Sequence, residues 1–217
     1  MYDLHTHTYY SDGVLGFSEL VRRCEVQGYR GLVISDHCDR ANVTAMVKRV
    51  RQYCEANVDC WDDISVLPGC ELTHVPPQRI KELVGMARKA GADVVIVHGE
   101  TPVEPVAAGT NRAAIEAGVD VLAHPGLITH EEARLAADKG VMLEISGRHG
   151  HSFTNGHVAS IAQKSGTKLS FGSDGHAPGD YPTREKVQLI LRGAGLSEVQ
   201  AKDVMNNNQR IFAEQTK

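Results

Sequence analysis

The sequence has few aromatic residues, no excess of positive charge and no long apolar run. It contains one tryptophan and four phenylalanines among 217 residues, and its formal net charge at pH 7 is −4. A negative chain has no general attraction to nucleic acid or to anionic membranes, although a local basic pocket could still receive a nucleotide. No stretch approaches the ~20 apolar residues that cross a bilayer, and residues 1–12 contain no apolar signal-peptide core. We therefore expect a cytoplasmic protein that has no membrane partner, whereas a nucleic-acid partner is disfavoured by the charge but left open.

Several catalytic motifs are also missing. The five cysteines are odd in number and include no Cys-x-x-Cys pair, which argues against a disulfide framework and fits a reducing compartment. The sequence has neither a Walker-type glycine-rich phosphate loop nor a Gly-x-Ser-x-Gly nucleophile elbow. Any hydrolytic chemistry must therefore come from another arrangement of side chains.

What is present is a regular alternation of short apolar runs and amphipathic segments, which is typical of α/β proteins. Strands are predicted at residues 2–5, 31–35, 65–68, 94–97, 119–122, 142–145 and 169–172. Helices are predicted at residues 17–27, 41–56, 77–90, 110–117, 130–139, 156–165, 184–192 and 198–205, and the polar tail 206–217 is expected to pack as a last turn or to fray. With 41% hydrophobic residues and no linker, the chain suits a single domain over residues 1–217.

Histidine is unusually frequent, with eleven in the chain. His5 and His7 are two residues apart at the first predicted strand, so their side chains project from one face and can share a metal ion. Imidazole and carboxylate ligands suit zinc, manganese or iron. Comparable residues follow the later strands, at Asp36-His37, Glu71, His98, His124 and Asp174-Gly175-His176.

These polar residues fall at the carboxyl ends of the predicted strands. In a closed parallel barrel such ends meet at one mouth, where the active sites of these barrels lie. A lone histidine at a strand end is usually a hydrogen-bonded structural residue, but the same feature at six strand ends favours a metal centre. Cys38 and Cys70 adjoin these residues and are expected to be packing residues that face away from the centre.

The polar strand ends form motifs that resemble the PHP family, named for the polymerase and histidinol phosphatase proteins that share it. The matching motifs are His5-Thr6-His7 with Ser11-Asp12-Gly13, Ser35-Asp36-His37, Gly69-Cys70-Glu71, Val97-His98-Gly99, Ala123-His124-Pro125 and Ser173-Asp174-Gly175-His176. The resemblance covers nearly the whole chain. It implies an α/β fold, a distorted seven-stranded parallel (βα)7 barrel of TIM-barrel type that carries divalent metal ions.

The resemblance also implies how ligands are distributed over three ions. His5, His7, Glu71 and Asp174 would hold the first ion, and Glu71 would bridge to a second ion held by His98 and His124. Asp12, His37 and His176 would hold the third ion. We expect two to three divalent ions, which could be zinc, manganese or iron.

The chemistry of such a centre suits phosphate esters. Six imidazoles and three carboxylates in one cleft would leave buried polar groups unsatisfied without metal, at about 1–3 kcal/mol each. A metal-bound water with a pKa of ~7 supplies hydroxide to attack phosphorus, and neighbouring ions neutralise charge on the phosphoryl group. We therefore expect a metal-dependent phosphoesterase, most simply a phosphomonoesterase for a small phosphorylated metabolite such as a histidinol-phosphate-like compound or a nucleotide. The expected catalytic residues are Glu71, as the bridge, and Asp174 or His176, as proton donor to the leaving alcohol.

Two other functions remain open. An amidohydrolase-type metal hydrolase also begins with His-x-His, but Glu71 as the bridge and the Asp174-x-His176 pair argue against it. A proofreading or scaffold module for a polymerase would need a separate partner, because the chain contains no polymerase sequence.

The substrate side of the site rests on fewer residues. Arg148, in a glycine-flanked loop after the sixth strand, is a candidate clamp for phosphate because guanidinium presents a planar fork to oxyanions. An arginine paired with Asp or Glu at the surface is the equally open alternative. His149 is the second candidate substrate-binding residue, and His74 and His151 are further candidates to orient substrate or to transfer a proton.

Overall fold

The computed structural model describes residues 1–61 and 63–215. The strands pair in parallel, in the order β1-β2-β4-β5-β6-β7-β8 with β3 beside β4. Their bounds are β1 Tyr2–Asp3, β2 Gly31–Ile34, β3 His37–Cys38, β4 Ser65–Leu72, β5 Val94–His98, β6 Val121–Ala123, β7 Met142–Ser146 and β8 Leu169–Gly172.

Strands β2 and β3 occupy a single position in the barrel. Gly31 pairs with Ser65 in β4, and His37 pairs with Glu71 in the same β4, so both strands keep one register on either side of a two-residue interruption. The barrel therefore has seven strand positions. This confirms the predicted (βα)7 fold.

The barrel closes where the chain beyond β1 meets the chain beyond β8. Thr6 forms a parallel bridge with Gly175. The Asp174 N–H donates to the His5 carbonyl (2.9 Å), and the His7 N–H donates to the Gly175 carbonyl (3.0 Å). This seam brings the first and last motifs of the sequence into direct contact.

Eight α-helices surround the barrel in the described residues. Their bounds are α1 Phe17–Val26, α2 Val43–Asn57, α3 Pro77–Ala90, α4 Thr110–Ala117, α5 His130–Lys139, α6 Asn155–Ser165, α7 Arg184–Gly193 and α8 Glu198–Gln215. Local sequence explains several ends: Thr129 and Glu132 form a capping box at the start of α5. Gly91 and Gly140 end α3 and α5 in the left-handed conformation that glycine adopts without strain.

The polar tail was predicted wrongly, because α8 continues through residue 205 to Gln215. Asn208 explains the difference: it is fully buried, accepts from the Phe171 N–H and donates to the Tyr2 and Phe171 carbonyls. The amide thus joins β1 and β8 at the base of the seam, and Phe212 packs with the residues inside the barrel. Residues 216 and 217 of the predicted tail lie outside the described residues.

Two apolar clusters build the core. The larger lies between the strands and the helices and includes Cys38 and Cys70, which are the packing residues expected from strand alternation. The smaller fills the barrel and consists of Leu4, Val33, Leu67, Val94, Ile96, Val121, Ala123, Met142 and Phe212. On β5, Val94, Ile96 and His98 share one face, so the inward row that is apolar below becomes polar at the mouth.

No helix among the described residues combines the length and the apolar character needed to cross a membrane.

Candidate metal centre

Four side chains from three parts of the chain form the first group at the mouth. His5 Nε2 lies 3.4 Å from Glu71 Oε1, and His7 Nε2 lies 3.3 Å from Asp174 Oδ1. The diagonal separations are 3.8 Å from His7 Nε2 to Glu71 Oε2 and 3.9 Å from His5 Nε2 to Asp174 Oδ1. The structure thus brings together the four residues that the sequence assigns to the first ion.

A second group shares Glu71 with the first. His98 Nδ1 and His124 Nε2 lie 3.3 Å and 3.5 Å from Glu71 Oε1. The ring centroids of His98 and His124 are 4.4 Å apart, and His124 lies 5.8 Å from His5. Glu71 therefore faces two sets of imidazoles, as a bridging carboxylate would.

A third group lies on the outer side of His7. Asp12 Oδ1 lies 3.3 Å from His37 Nε2 and 3.0 Å from His176 Nε2. The His7 ring is 4.1 Å from the His37 ring and 4.2 Å from the His176 ring, centroid to centroid. All nine predicted ligands therefore converge on one cleft.

The donor atoms fit divalent ions better than they fit one another. The buried atoms without a hydrogen-bond partner include His5 Nε2, both ring nitrogens of His7 and His98, His124 Nδ1 and Glu71 Oε1. In a tetrahedral site with metal–ligand distances of ~2.0–2.1 Å, neighbouring ligand atoms are about 3.3–3.4 Å apart. The closest separations in the first two groups, 3.3–3.5 Å, match that value.

The backbone is strained at the same place. His74, His124 and Asp174 are the non-glycine residues with positive φ in the described part of the chain, at 52°, 27° and 51°. Such conformations cost of order 1–3 kcal/mol and cluster at functional sites. Two of the three are predicted ligands, which supports a functional reason for the strain.

Charge in the centre is balanced between carboxylates and imidazoles. Burial by itself would raise the pKa of Glu71, but His5, His37 and His98 hold it well below its usual range. Burial by itself would lower the pKa of His5, but the carboxylates of Glu144, Asp174 and Glu71 raise it well above its usual value. A cation among these groups would take over the role of the imidazole protons.

Glu144 supports the centre and was missed by the sequence reasoning. His5 Nδ1 hydrogen-bonds Glu144 Oε2 at 2.7 Å, and both side chains are buried. A carboxylate on Nδ1 fixes the ring proton there and leaves Nε2 as a free lone pair, which is the usual support of a metal-binding histidine. The available signal was a single acidic residue within the apolar strand Met142–Ser146.

Glu104 was also missed. It lies in the loop between β5 and α4 and faces the Nε2 atoms of His74 (3.2 Å), His98 (3.2 Å) and His151 (3.3 Å). His151 is buried, and its Nδ1 hydrogen-bonds Thr101 Oγ1 at 2.8 Å. The sequence had treated His74 and His151 as loop histidines of uncertain role, and only the fold shows that one carboxylate joins them.

The candidate substrate residues line an open groove of about 540 Å³ beside His176. Arg148 Nη1 donates to the Asp174 carbonyl (3.1 Å) and lies 2.6 Å from His176 Nδ1, which is itself 2.9 Å from the same carbonyl. The nearest carboxylate oxygen among the described residues, on Asp174, is 4.0 Å from Arg148 Nε. His149 is exposed on the same groove, and its ring contacts Phe153. Arg148 thus directly contacts the cluster, whereas His149 lies on the rim.

A protein-family model described as the PHP domain matches residues 3–217. An uncharacterized protein of Methanocaldococcus jannaschii is 42% identical over 205 residues, which cover 94% of each chain.

Two solved structures show the same fold at low sequence identity. Histidinol phosphate phosphatase of Lactococcus lactis, complexed with zinc, L-histidinol and phosphate, aligns with a TM-score of 0.61 at 17% identity, over 90% of this chain and 94% of that chain. An amidohydrolase aligns with a TM-score of 0.63 at 15% identity, over 100% of this chain and 75% of that chain. At these sequence identities, the two structures support the barrel fold and nothing more.

Proposed function

Because the chain belongs to the PHP domain family, we propose that it is a metal-dependent phosphoesterase, and specifically a phosphomonoesterase acting on a small phosphorylated metabolite. The observation that carries this proposal is the group of buried ring nitrogens and carboxylate oxygens that face one another without hydrogen bonds. Such a donor set requires cations, and a cluster of cations suits a phosphate ester.

Three ions fit the three groups of residues. His5, His7, Glu71 and Asp174 would hold the first ion, and Glu71 would share the second with His98 and His124. Asp12, His37 and His176 would hold the third. Zinc, manganese and iron all accept imidazole and carboxylate ligands of this kind.

The balance of charge favours an anionic substrate. Glu71, Asp174 and Asp12, with Glu144 beside His5 and Glu104 beside His98, carry five negative charges, whereas three divalent ions carry six positive charges. When bound, such ions polarise phosphoryl oxygens and activate a water as nucleophile at neutral pH. A phosphomonoester dianion would reduce the remaining positive charge, while a neutral amide would not.

The residues of the chain orient the substrate and handle the proton. Arg148 contacts His176 and borders the open groove, so its guanidinium would hold phosphoryl oxygens next to the third group. His149, on the rim of the groove, would contact the organic part of the substrate. His176 or Asp174, which face the cleft from the chain beyond β8, would position a water that protonates the leaving alcohol, because a residue that holds an ion has no proton of its own to give.

The test is an activity panel on protein loaded separately with zinc, manganese or iron. Phosphomonoesters, including L-histidinol phosphate and nucleoside monophosphates, would be compared with phosphodiesters, amides and lactones. We expect phosphomonoesters to have the highest kcat/KM, and Asp174→Asn to abolish that activity while the exposed control Glu131→Gln retains it.

Three results would contradict the proposal. Higher kcat/KM on amides or lactones would favour an amidohydrolase, in agreement with the similarity in fold. Equal phosphatase rates for Asp174→Asn and the parent would mean that the centre is not the catalytic site, and absence of hydrolysis on the whole panel would favour a scaffold module.

A further inference from the structure

Three imidazoles, those of His74, His98 and His151, surround Glu104. Only His98 among them belongs to the proposed three-ion centre. Glu104 Oε2 lies 3.2 Å from His74 Nε2 and 3.2 Å from His98 Nε2, and Glu104 Oε1 lies 3.3 Å from His151 Nε2. These separations are close to the ~3.3 Å between neighbouring ligands of a tetrahedral ion. The carboxylate sits at the mouth, with about a third of its side chain exposed, so an ion could reach it from solvent.

The ring protons decide which of these histidines is free to bind an ion. His98 turns its Nδ1 toward Glu71, where the second ion is proposed, so its ring proton belongs on Nε2 and points toward Glu104. His151 hydrogen-bonds Thr101 Oγ1 through Nδ1, and with the proton on Nδ1 its Nε2 presents a lone pair to Glu104. His74 Nε2 hydrogen-bonds the same carboxylate without an ion, and with its ring proton on Nδ1 it presents a lone pair there. The Nε2 atoms of His74 and His151 therefore face the two oxygens of one carboxylate, and His74, His98 and Glu104 present ligand atoms within 4.8 Å of one another.

The backbone of His74 gives an independent indication. Its φ of 52° is in the left-handed region, and the other non-glycine residues with positive φ in the described ranges, His124 and Asp174, are both proposed ligands. An exposed ion pair between His74 and Glu104 is too weak to account for a backbone held in the left-handed region.

We propose that His74, Glu104 and His151 form an accessory divalent cation site at the mouth, in addition to the three ions of the main centre. Two imidazoles and one carboxylate, with water in the remaining position, are ligands typical of zinc. His98 would hydrogen-bond Glu104 and so connect this site to the second ion.

Such an ion would hold the loop of residues 99–109 in place over the mouth. Glu104 lies within residues 99–109, which have no helix or strand, whereas His74 follows β4 and His151 begins the turn after β7. Binding would join three segments that border the cleft. The loop should therefore become more protected from hydrogen exchange when the accessory ion is bound.

The test counts ions on purified full-length protein after equilibration with excess zinc and removal of free metal. We expect wild type to carry one more zinc per chain than His74→Ala, and Glu104→Gln to lose at least that same ion. His130→Ala, an exposed histidine at the start of α5, is the matched control and should keep the wild-type number. Hydrogen exchange of residues 99–109 should slow when zinc fills the accessory site in wild type and in the control. In His74→Ala, the same concentration of zinc should not slow the exchange of these residues.

Equal zinc content in wild type and His74→Ala, or unchanged zinc-dependent protection of residues 99–109 in that variant, would overturn the proposal whatever Glu104→Gln does. Should His74→Ala fail to fold, as judged by circular dichroism, His74→Asn gives the same comparison with a polar side chain of smaller reach. Because ions are counted rather than turnover, the accessory site can fail while the phosphoesterase proposal stands, and the reverse also holds.

Discussion

Glu71 is the residue on which two groups of ligands depend. Its Oε1 faces His5, His98 and His124 at 3.3–3.5 Å, and one carboxylate can present an oxygen to each of two ions. Glu71→Gln keeps the shape and removes the charge, so we expect lower occupancy at two sites together and at least a ~10²-fold fall in turnover. Metal analysis and phosphatase kinetics measure both effects, with Glu131→Gln as control. Parent-level hydrolysis with unchanged metal content would rule out a bridging role.

Arg148 is the residue on which substrate binding is expected to depend. Among the described residues its nearest carboxylate oxygen, on Asp174, is 4.0 Å away, while its guanidinium contacts His176 Nδ1 and borders the groove. If it binds ground state and transition state equally, Arg148→Ala should raise KM more than it lowers kcat. Steady-state kinetics at measured metal content test this, with the surface variant Arg134→Ala for comparison. A loss confined to kcat would contradict the assignment.

Strand β8 supports the centre through a residue without a side chain. A Cβ at Gly172 would overlap the Glu144 carboxylate and would lie 2.7 Å from His5 Cβ. Gly172→Ala should therefore displace the Glu144–His5 pair and lower metal affinity by the ~10–100-fold typical of losing such a support. Competition with a chromogenic chelator measures the affinity. Gly156→Ala on α6, where an added Cβ meets no atom within 4 Å, should leave affinity unchanged. Equal affinities for the two variants would mean that Glu144 does not orient His5.

Helix α8 stabilises the barrel at its seam. Asn208→Ala would remove one acceptor and two donor contacts and leave buried backbone groups of Tyr2 and Phe171 without partners. At ~1–3 kcal/mol for each unsatisfied group, we expect the free energy of unfolding to fall by about 3 kcal/mol. Denaturant unfolding tests this, and Asn206→Ala on the same helix should change stability by less than about 0.5 kcal/mol. Similar values for both variants would show that the amide is dispensable.

We expect the centre at the mouth of the barrel to release protons when it binds metal ions. Burial by itself would lower the pKa values of His37 and His98, but Glu71, together with Asp12 at His37 and Glu104 at His98, raises them to about 10 and about 9. Both rings are therefore protonated at pH 7 without ions and must lose a proton to bind one. Zinc binding should release protons at pH 7, and the number should fall as the pH rises through 9 and 10. Calorimetry in buffers of different ionisation enthalpy measures the release, and heats independent of buffer at pH 7 would contradict it.

The sequence alone predicted the alternation of strands and helices, and its resemblance to the PHP family named the nine proposed ligands that the structure brings together at the mouth. Periodicity is local, and histidines beside Asp, Glu and Gly at strand ends are visible without coordinates. The same alternation indicates a parallel sheet, because parallel strands that are buried on both faces read as apolar runs such as Val94–His98. That the sheet closes into a seven-stranded barrel was implied by the resemblance to the PHP family. The polar tail was predicted wrongly because the hydrogen-bond partners of Asn208 are distant in the sequence. Tyr2 is 206 residues away along the chain and Phe171 is 37 residues away.

Only the tertiary structure decided which groups support the ligands. Glu144 reads as one acid in a strand and Glu104 as one acid in a loop, and nothing local distinguishes them from solvated carboxylates. Their roles depend on contacts with His5, which is 139 residues from Glu144, and with three histidines that reach Glu104 from the end of β5 and from two separate segments after β4 and β7. Long-range side-chain contacts depend on how strands close and how loops fold back. That is why the nine proposed ligands could be named from the sequence, whereas the carboxylates beside them required the fold.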